Sequence, residues 1–315
     1  MQAWSYSRFG KPEVLRLGTA PDPRPGPNEY LIRVHTAALN PKDGLIRRGS
    51  FRLLSGSRFP KFIGLDYSGT VVERGAGATG FRVGDQVYGH LDEWKGRQGT
   101  LSEYVRATAD QCALMPAGLS FEEAAGLSLV SQTALQALRD IASIRSGDRV
   151  LINGGGGGVG AAAIQIARIF EARVVAVCGP NNLEFCRGLG AEEVLDYTRE
   201  DPLAGSTAFR IVFDTYGNLP FSRARRALTR DGVYVGTVFS RDLFFGMIRS
   251  LWSRPRAGLV RVKSRRQDLE RVTRWVESGR LRPVIERSFD FDQVVAAYRH
   301  LEKTHSRGKV VVRIS

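Results

Sequence analysis

The sequence predicts an α/β chain of two domains, one β-rich and one built on a doubly wound parallel sheet. Three observations predict it. The 315 residues exceed one ordinary domain. The first 120 residues read as short strands bounded by glycine, proline and charge. Beyond Ser120 the pattern changes, and strands alternate with helices around a run of five glycines at 154–158.

Within the first stretch, residues 30–39 (Tyr-Leu-Ile-Arg-Val-His-Thr-Ala-Ala-Leu), 67–73 and 86–89 are the strand candidates. Pro21-Asp-Pro-Arg-Pro-Gly-Pro is a stiff, extended lead-in to the first of them. Ser120-Phe-Glu-Glu has capping-box form, with Glu123 three residues after the serine, and so starts a helix. A second helix is expected over 131–141. Strands follow at 150–153, 173–177, 193–196, 211–214 and 232–236, with helical stretches between most of them. After Asp268 come an amphipathic helix, a turn at Gly279, a helix over 292–303 and a last strand at 309–314. No internal repeat is present.

The apolar strand Val150-Leu-Ile-Asn runs into the glycines and then into Val159-Gly-Ala-Ala-Ala-Ile-Gln-Ile. Gly155, Gly157 and Gly160 fall on G-x-G-x-x-G spacing. The first glycine permits the tight turn, the second lets a pyrophosphate approach the backbone, and the third lets helix and strand pack closely. The helix-opening N–H groups, aided by the helix dipole, then face an anionic diphosphate. The stretch Gly155, Gly157, Gly158, Val159 and Gly160 is therefore the candidate cofactor cradle.

Composition is that of a globular chain, 43% hydrophobic and 25% charged. No apolar run approaches the roughly 18 residues that span a bilayer, and the first residues show no secretory pattern. Cys112, Cys178 and Cys186 are an odd set without C-x-x-C spacing, and they read as reduced thiols of a cytoplasmic protein. The net charge of +14 is uneven: residues 241–315 carry 18 basic and 8 acidic groups. There, Phe244-Phe-Gly-Met-Ile-Arg-Ser-Leu-Trp-Ser-Arg-Pro-Arg mixes bulky apolar groups with arginines. Such a mixture suits an anionic membrane surface or nucleic acid. A substrate-cleft or subunit-contact segment flanked by solvated arginines is the plainer reading, and the favoured one.

Several further blocks carry a resemblance: Leu39-Asn-Pro-Lys-Asp43, Ile63-Gly-Leu-Asp-Tyr-Ser-Gly-Thr-Val72, Phe81-Arg-Val-Gly-Asp-Gln-Val-Tyr-Gly89, Gly99-Thr-Leu-Ser-Glu-Tyr-Val, Leu189-Gly-Ala-Glu-Glu-Val-Leu-Asp-Tyr197 and Ser306-Arg-Gly-Lys-Val-Val. With the glycine turn, they make the chain resemble the zinc-free quinone oxidoreductase (zeta-crystallin-like) branch of the medium-chain dehydrogenase/reductase family, nearly end to end. The resemblance implies a GroES-like catalytic domain over 1–121, completed by 265–315, and a Rossmann NADP-binding domain over 122–264. It also implies an active site in the cleft between them, and a homodimer.

Asn40 stands where zinc-dependent members of that family have a cysteine ligand, and Gly64-Leu65-Asp66 stands where they have Gly-His-Glu. Zinc takes about three protein ligands of N, S or O type, and this set has neither thiolate nor imidazole. His35, His90, His300 and His305 lack ligand spacing and read as ordinary surface or packing residues. No metal is expected. Without a Lewis acid, an already electrophilic quinone or α,β-unsaturated carbonyl is the expected hydride acceptor. The alternatives are an alkenal or enoyl-thioester double-bond reductase, or a nucleotide-dependent RNA- or membrane-surface-binding protein with little turnover.

An NAD-specific site usually puts an acid on the ribose about 20 residues past the turn. None lies between Ala172 and Leu183, where Asn181 and Asn182 stand instead. NADPH is therefore expected, with NADH possible. By resemblance, Tyr197 lies at the adenine end, Thr133 near the nicotinamide and Arg307 near the phosphate or ribose. Tyr197 also fits a simple strand-end packing role, and Arg307 a solvated cation. Asn40, Asp43 and Tyr67 are the catalytic candidates, Asn40 to hydrogen-bond a carbonyl oxygen and Tyr67 to donate a proton. Asn-Pro is equally a turn device, and Tyr67 equally a core residue. Leu45 stands where some quinone reductases have a tyrosine.

Overall fold

A computed structural model describes residues 1–204, 209–303 and 307–315; His305 and Ser306 lie outside them. The chain divides into two compact units, Met1–Leu129 with Lys263–Ser315, and Val130–Val262.

The first unit is built on a seven-stranded sheet. Its order is Ile285–Asp290, Lys309–Arg313, Glu29–Ala38, Asp66–Arg74, Gln86–His90, Ala113–Leu114, with Tyr104–Thr108 also paired to Glu29–Ala38. Alternation along Glu29–Ala38 turns Tyr30, Ile32 and Val34 into one core with Tyr67, Val71, Phe81, Val87, Val105 and Cys112. A second core holds Trp4, Tyr6, Ala37, Leu39, Tyr298, Val310 and Val312. Register sets Ala38 opposite both Asp66 and Val311, and Asp66 opposite His90. Three strand ends thus converge beside Asn40, the N-cap of the Pro41–Arg47 helix. A smaller sheet of Arg16–Thr19, Gln2–Tyr6 and Lys61–Phe62 was not expected, because its strands are short and the outer one is wholly exposed.

In the second unit, β1 (Arg149–Asn153), β2 (Arg173–Cys178), β3 (Glu193–Asp196), β4 (Phe209–Asp214), β5 (Leu228–Gly236) and β6 (Arg256–Leu259) form one parallel sheet in the order 3-2-1-4-5-6. The order reverses between β1 and β4, and ligands of such sheets bind outside the carboxyl ends at that switch. Val150, Leu151 and Ile152 on β1, and Ile211, Val212 and Phe213 on β4, are fully buried, as central strands covered on both faces must be. The Gly158–Ile169 helix buries Ala161, Ala163, Ile164 and Ile166.

Differences from the sequence expectation are local. Strand β6 was missed because Arg-Ala-Gly-Leu is a half-exposed edge with no apolar run. The helix expected over 131–141 is α-helical at Ser128–Leu135 and then widens into a π-helical stretch, Gln136–Ile141. The helix expected over 292–303 opens with a 3-10 turn, Phe291–Gln293, before Val294–Lys303. Among the described residues, no helix is long and apolar enough to cross a membrane.

Candidate active site and nucleotide turn

Asp66 is the centre of a fully buried polar network in the first unit. Its carboxylate accepts hydrogen bonds from the Ser128 hydroxyl, from Leu129 N at 2.9 Å, from Asn40 Nδ2 at 2.9 Å and from Lys309 Nζ at 2.9 Å. The negative charge therefore caps the start of the Ser128–Leu135 helix, where it is favoured. Lys309 Nζ also donates to Leu39 O at 2.9 Å and to Asn40 Oδ1 at 2.7 Å. Burial pushes Asp66 up, but the Lys309 ammonium and the Ser128 hydroxyl outweigh it and hold the carboxyl below its ordinary range. Both ends of the Asn40 amide are thus engaged, Nδ2 with Asp66 and Oδ1 with Lys309. Asn40 is set to position these groups, and its carbonyl-binding role would require it to leave them.

Asp43, one helical turn on, accepts from Asn40 N at 2.9 Å and from the Tyr298 hydroxyl at 3.2 Å, both on Oδ2. Its Oδ1 has no hydrogen-bond partner although it is buried. Burial pushes this carboxyl up to about 6, against the Asn40 hydrogen bond and the Lys309 charge. Asp43 lines a cavity of about 20 Å³ with Tyr6, Gly64, Leu65, Trp94 and Gln98, room for one water. Gly64 has φ +100°, and a Cβ there would lie 2.5 Å from Thr100 Oγ1. The backbone beside Leu65 therefore has to be glycine.

The structure brings Asn40 and Asp43 together but not Tyr67. On the Asp66–Arg74 strand, neighbours face opposite sides of the sheet, and Tyr67 points away from Asp66 into the other core. Its hydroxyl donates to Gln111 O at 2.8 Å and lies 3.0 Å from Cys112 Sγ. Burial, reinforced by Cys112, raises its pKa well above the ordinary tyrosine value. Tyr67 therefore lies in this core, apart from Asn40 and Asp43. Sequence reading had missed Lys309, Ser128 and Tyr298, each remote in sequence from Asn40. The period-two alternation of the strand was the available sign against Tyr67.

In the second unit, Gly154 N and Gly155 N both donate to Val177 O, at 3.0 and 2.9 Å, folding the turn across β2. Gly157 is the N-cap, and the first intrahelical bond runs from Ala161 N to Gly157 O at 2.8 Å. The N–H groups of Gly158, Val159 and Gly160 precede that bond, at the positive end of the helix. A Cβ on Gly160 would lie 2.1 Å from Gly154 O, so that glycine is needed for the turn itself. One on Gly157 would meet only Gly154 O at 3.6 Å, so the space in front of it is open, as a cradle requires.

Beyond β2, Asn181 is exposed, whereas Asn182 is buried with its amide against Gly156. The pair therefore has two jobs, one facing outward and one supporting the turn. Tyr197 is half exposed and sets its hydroxyl against Gly179. At the switch point Asn153 Nδ2 donates to Asp214 Oδ1 at 2.8 Å. Asp214 in turn gathers the N–H groups of Tyr216, Gly217 and Leu219, fixing the loop after β4. This pair was not foreseen, since a strand-ending Asn and Asp carry no spacing signal. Thr133 is buried in the Ser128–Leu135 helix, and Arg307 is exposed in the first unit.

The donor set does not fit zinc. Leu65 offers no ligand atom, Asn40 offers an amide, and the Asp66 carboxylate is held by an ammonium. Among the described residues no group of three His, Cys, Asp or Glu could hold a metal ion. The glycine turn and the acid-free strand end do fit a nicotinamide dinucleotide.

Fold and turn together define a nicotinamide-dependent oxidoreductase with a GroES-like domain and a Rossmann domain. Residues 26–117 match the alcohol dehydrogenase GroES-like domain family, and residues 189–312 the zinc-binding dehydrogenase family. The chain is 32% identical to mouse (Mus musculus) mitochondrial NAD(P)H oxidoreductase RTN4IP1, over 100% of its own length and 89% of the relative's. It is 32% identical to the chloroplastic NADPH-dependent alkenal/one oxidoreductase of Arabidopsis thaliana, over 99% and 79%. The solved quinone oxidoreductase of Coxiella burnetii superposes with a TM-score of 0.90 at 33% identity, covering 100% and 99% of the two chains. The chain belongs to the medium-chain dehydrogenase/reductase family, with the quinone oxidoreductases.

Proposed function

We propose that this protein is a zinc-independent reductase that uses NADPH to reduce a quinone or an α,β-unsaturated carbonyl. The observation that carries the reading is the Lys309–Asp66 ion pair with Asn40 bridging it, which puts a protein cation on the carboxylate that a metal would need. An acceptor handled without a Lewis acid has to be electrophilic already, which favours quinones and enones over unactivated carbonyls. When bound, the dihydronicotinamide supplies a hydride, and a proton from solvent completes the reduction.

The chain's part is to hold and orient. Gly157, Gly158, Val159 and Gly160 receive the diphosphate, and Tyr197 offers a face at the adenine end. Asn181 meets a ribose 2′-phosphate where no carboxylate repels it, which supports NADPH over NADH. Asp43, with a free oxygen toward a water-sized cavity, is the group best placed to hold a proton in the first unit. The names of the Arabidopsis and Coxiella relatives support the acceptor class. Three buried thiols outside any disulfide suit a reducing cytoplasm, and a homodimer follows family habit.

The test is NADPH oxidation with 9,10-phenanthrenequinone and with a medium-chain enone, with and without a zinc chelator. Turnover of at least one acceptor, unchanged by chelation and at least about tenfold more efficient with NADPH than with NADH, is expected. NADPH binding without turnover of either acceptor refutes the enzyme assignment. Equal kcat/KM for the two cofactors refutes the role given to Asn181.

A further inference from the structure

Cys178 and Cys186 stand behind the glycine turn, and neither the diphosphate cradle nor the Asp66 network uses them. Cys178 ends β2, and Cys186 lies eight positions on, in the Leu183–Gly188 helix. Alternation along β2 sends Val175 and Val177 into a core shared with Leu151 and Val212, so Ala176 and Cys178 face the opposite side. Cys186 comes to that same side from its helix. A Cβ on Gly155 would lie 3.2 Å from both Ala176 Cβ and Cys186 Sγ, so this thiol packs against the first glycine of the turn. Cys186 also donates a hydrogen bond to Cys178, which puts the two sulfurs in contact. Between them in sequence is Asn182, whose amide packs against Gly156.

The pair is asymmetric in the way that thiol oxidation needs. The hydrogen bond from Cys186, aided by the Arg187 charge, holds the Cys178 thiol below its ordinary range against burial and Asp196. Cys178 is 4% exposed and Cys186 0%, so a small oxidant meets Cys178 first, with the resolving thiol already beside it. Cys112 differs: it lies in the other unit, and burial pushes its thiol up to about 12. We propose that Cys178 and Cys186 are a hydroperoxide-sensitive redox pair whose disulfide weakens dinucleotide binding at the glycine turn. The Cys178 sulfur attacks the peroxide, the O–O bond breaks, and water or an alcohol leaves with the thiol proton. The Cys186 sulfur then displaces the hydroxyl of the sulfenic acid, which leaves as water with the Cys186 proton. Two thiols are oxidised to one disulfide, and one hydroperoxide is reduced. A disulfide holds its sulfurs about 2 Å apart, closer than hydrogen-bonded thiols, so closing it shifts the strand end against the helix. The Cys186 sulfur against Gly155 and the Asn182 amide against Gly156 both lie on the parts that shift.

The experiment treats the full chain with hydrogen peroxide and reads two quantities. Trypsin releases residues 174–187 as one peptide holding both thiols, so its mass after alkylation in denaturant reports the disulfide directly. That peptide is expected two hydrogens lighter and without alkyl groups, while Cys112 is alkylated. Fluorescence titration of the oxidised chain with NADPH is expected to give a Kd at least about tenfold weaker, restored by dithiothreitol. Cys178→Ala and Cys186→Ala, each compared with its own untreated sample, should keep their affinity after peroxide. Two alkylated cysteines in the wild-type peptide overturn the proposal, as does a disulfide that leaves Kd unchanged. Loss of affinity in either variant after peroxide overturns it too, and if a variant fails to fold, the wild-type mass and Kd still decide. The effect on binding rests on the cradle assigned to the glycine turn: untreated chain that does not bind NADPH refutes that cradle, whereas binding that survives the disulfide refutes only the redox pair.

Discussion

Asp43→Asn isolates the electrostatic cost of the first unit's buried carboxylate. Asp43 is fully buried, has one oxygen without a partner and is pushed from an ordinary 3.8 up to about 6. A raised carboxyl binds its proton more tightly in the folded chain than in the unfolded one. Folded stability therefore falls as pH rises from about 4 to about 6, and the cost is fully present above that. At 1.36 kcal/mol per pH unit, the gap corresponds to about 3 kcal/mol. Asparagine keeps an oxygen for Asn40 N and Tyr298 and carries no charge. The unfolding free energy of Asp43→Asn minus that of wild type is thus expected to rise by about 3 kcal/mol between pH 4 and pH 7.5. Urea unfolding followed by tryptophan fluorescence measures it, since Trp4, Trp94 and Trp275 all belong to this unit. Asp66, held low by Lys309, titrates with the opposite sign, but it is present in both chains and drops out of the difference. A difference that stays flat across this range, or falls with rising pH, refutes the reasoning.

Four further substitutions, one of them also read with Asp66→Asn, divide structural from functional roles. Lys309→Met removes the ammonium paired with Asp66 and should cost about 3–5 kcal/mol by urea unfolding; adding Asp66→Asn should recover at least half, and no recovery contradicts the ion-pair assignment. Gly160→Ala drives a Cβ into Gly154 O and should unfold the turn, whereas Gly157→Ala has room and should melt like wild type yet bind NADPH at least about tenfold more weakly. Unimpaired NADPH binding by Gly157→Ala, measured by cofactor fluorescence titration, would remove the diphosphate from that position. Tyr67→Phe strips Gln111 O of its buried donor and should cost about 1–2 kcal/mol of stability with kcat within about twofold. A large loss of kcat at unchanged stability would reinstate Tyr67 as a proton donor.

What the sequence made legible was what is local. The glycine turn needs only spacing, a preceding apolar strand and a following helix, and all three are contiguous in residues 150–169. Strands β1, β2, β4 and β5 announce themselves as apolar runs because the middle of a parallel sheet is covered on both faces. The Ser120–Glu123 capping box is closed within four residues, with Ser120 N to Glu123 Oε2 at 2.9 Å. The buried polar network is a different kind of object. Asn40, Asp66, Ser128, Tyr298 and Lys309 are gathered by strand pairing across most of the chain, and no spacing rule encodes that. Resemblance singled out Asn40, Asp43 and the Gly64-Leu65-Asp66 block but did not reveal that a lysine at the start of the last strand joins Asn40 and Asp66. Tyr67 shows the opposite effect: although adjacent to Asp66 in sequence, it faces the other side of the sheet.

Lys309 makes the proposed metal-free chemistry a matter of charge balance. Asp66 is fully buried at a helix N-terminus and still needs a cation to remain ionised away from water. The Lys309 ammonium meets that need at 2.9 Å while also satisfying Leu39 O and Asn40 Oδ1, so its own charge is fully solvated by the protein. A divalent ion approaching Asp66 would compete for the same oxygen and leave that ammonium buried beside a second positive charge. Leu65 and Asn40 would offer it neither thiolate nor imidazole, and among the described residues no group of three His, Cys, Asp or Glu could hold a metal ion. Removing Lys309 therefore opens a hole in the network without creating a metal site. The Lys309 ammonium thus balances the Asp66 charge, which is the observation behind the proposed preference for an acceptor that needs no Lewis acid.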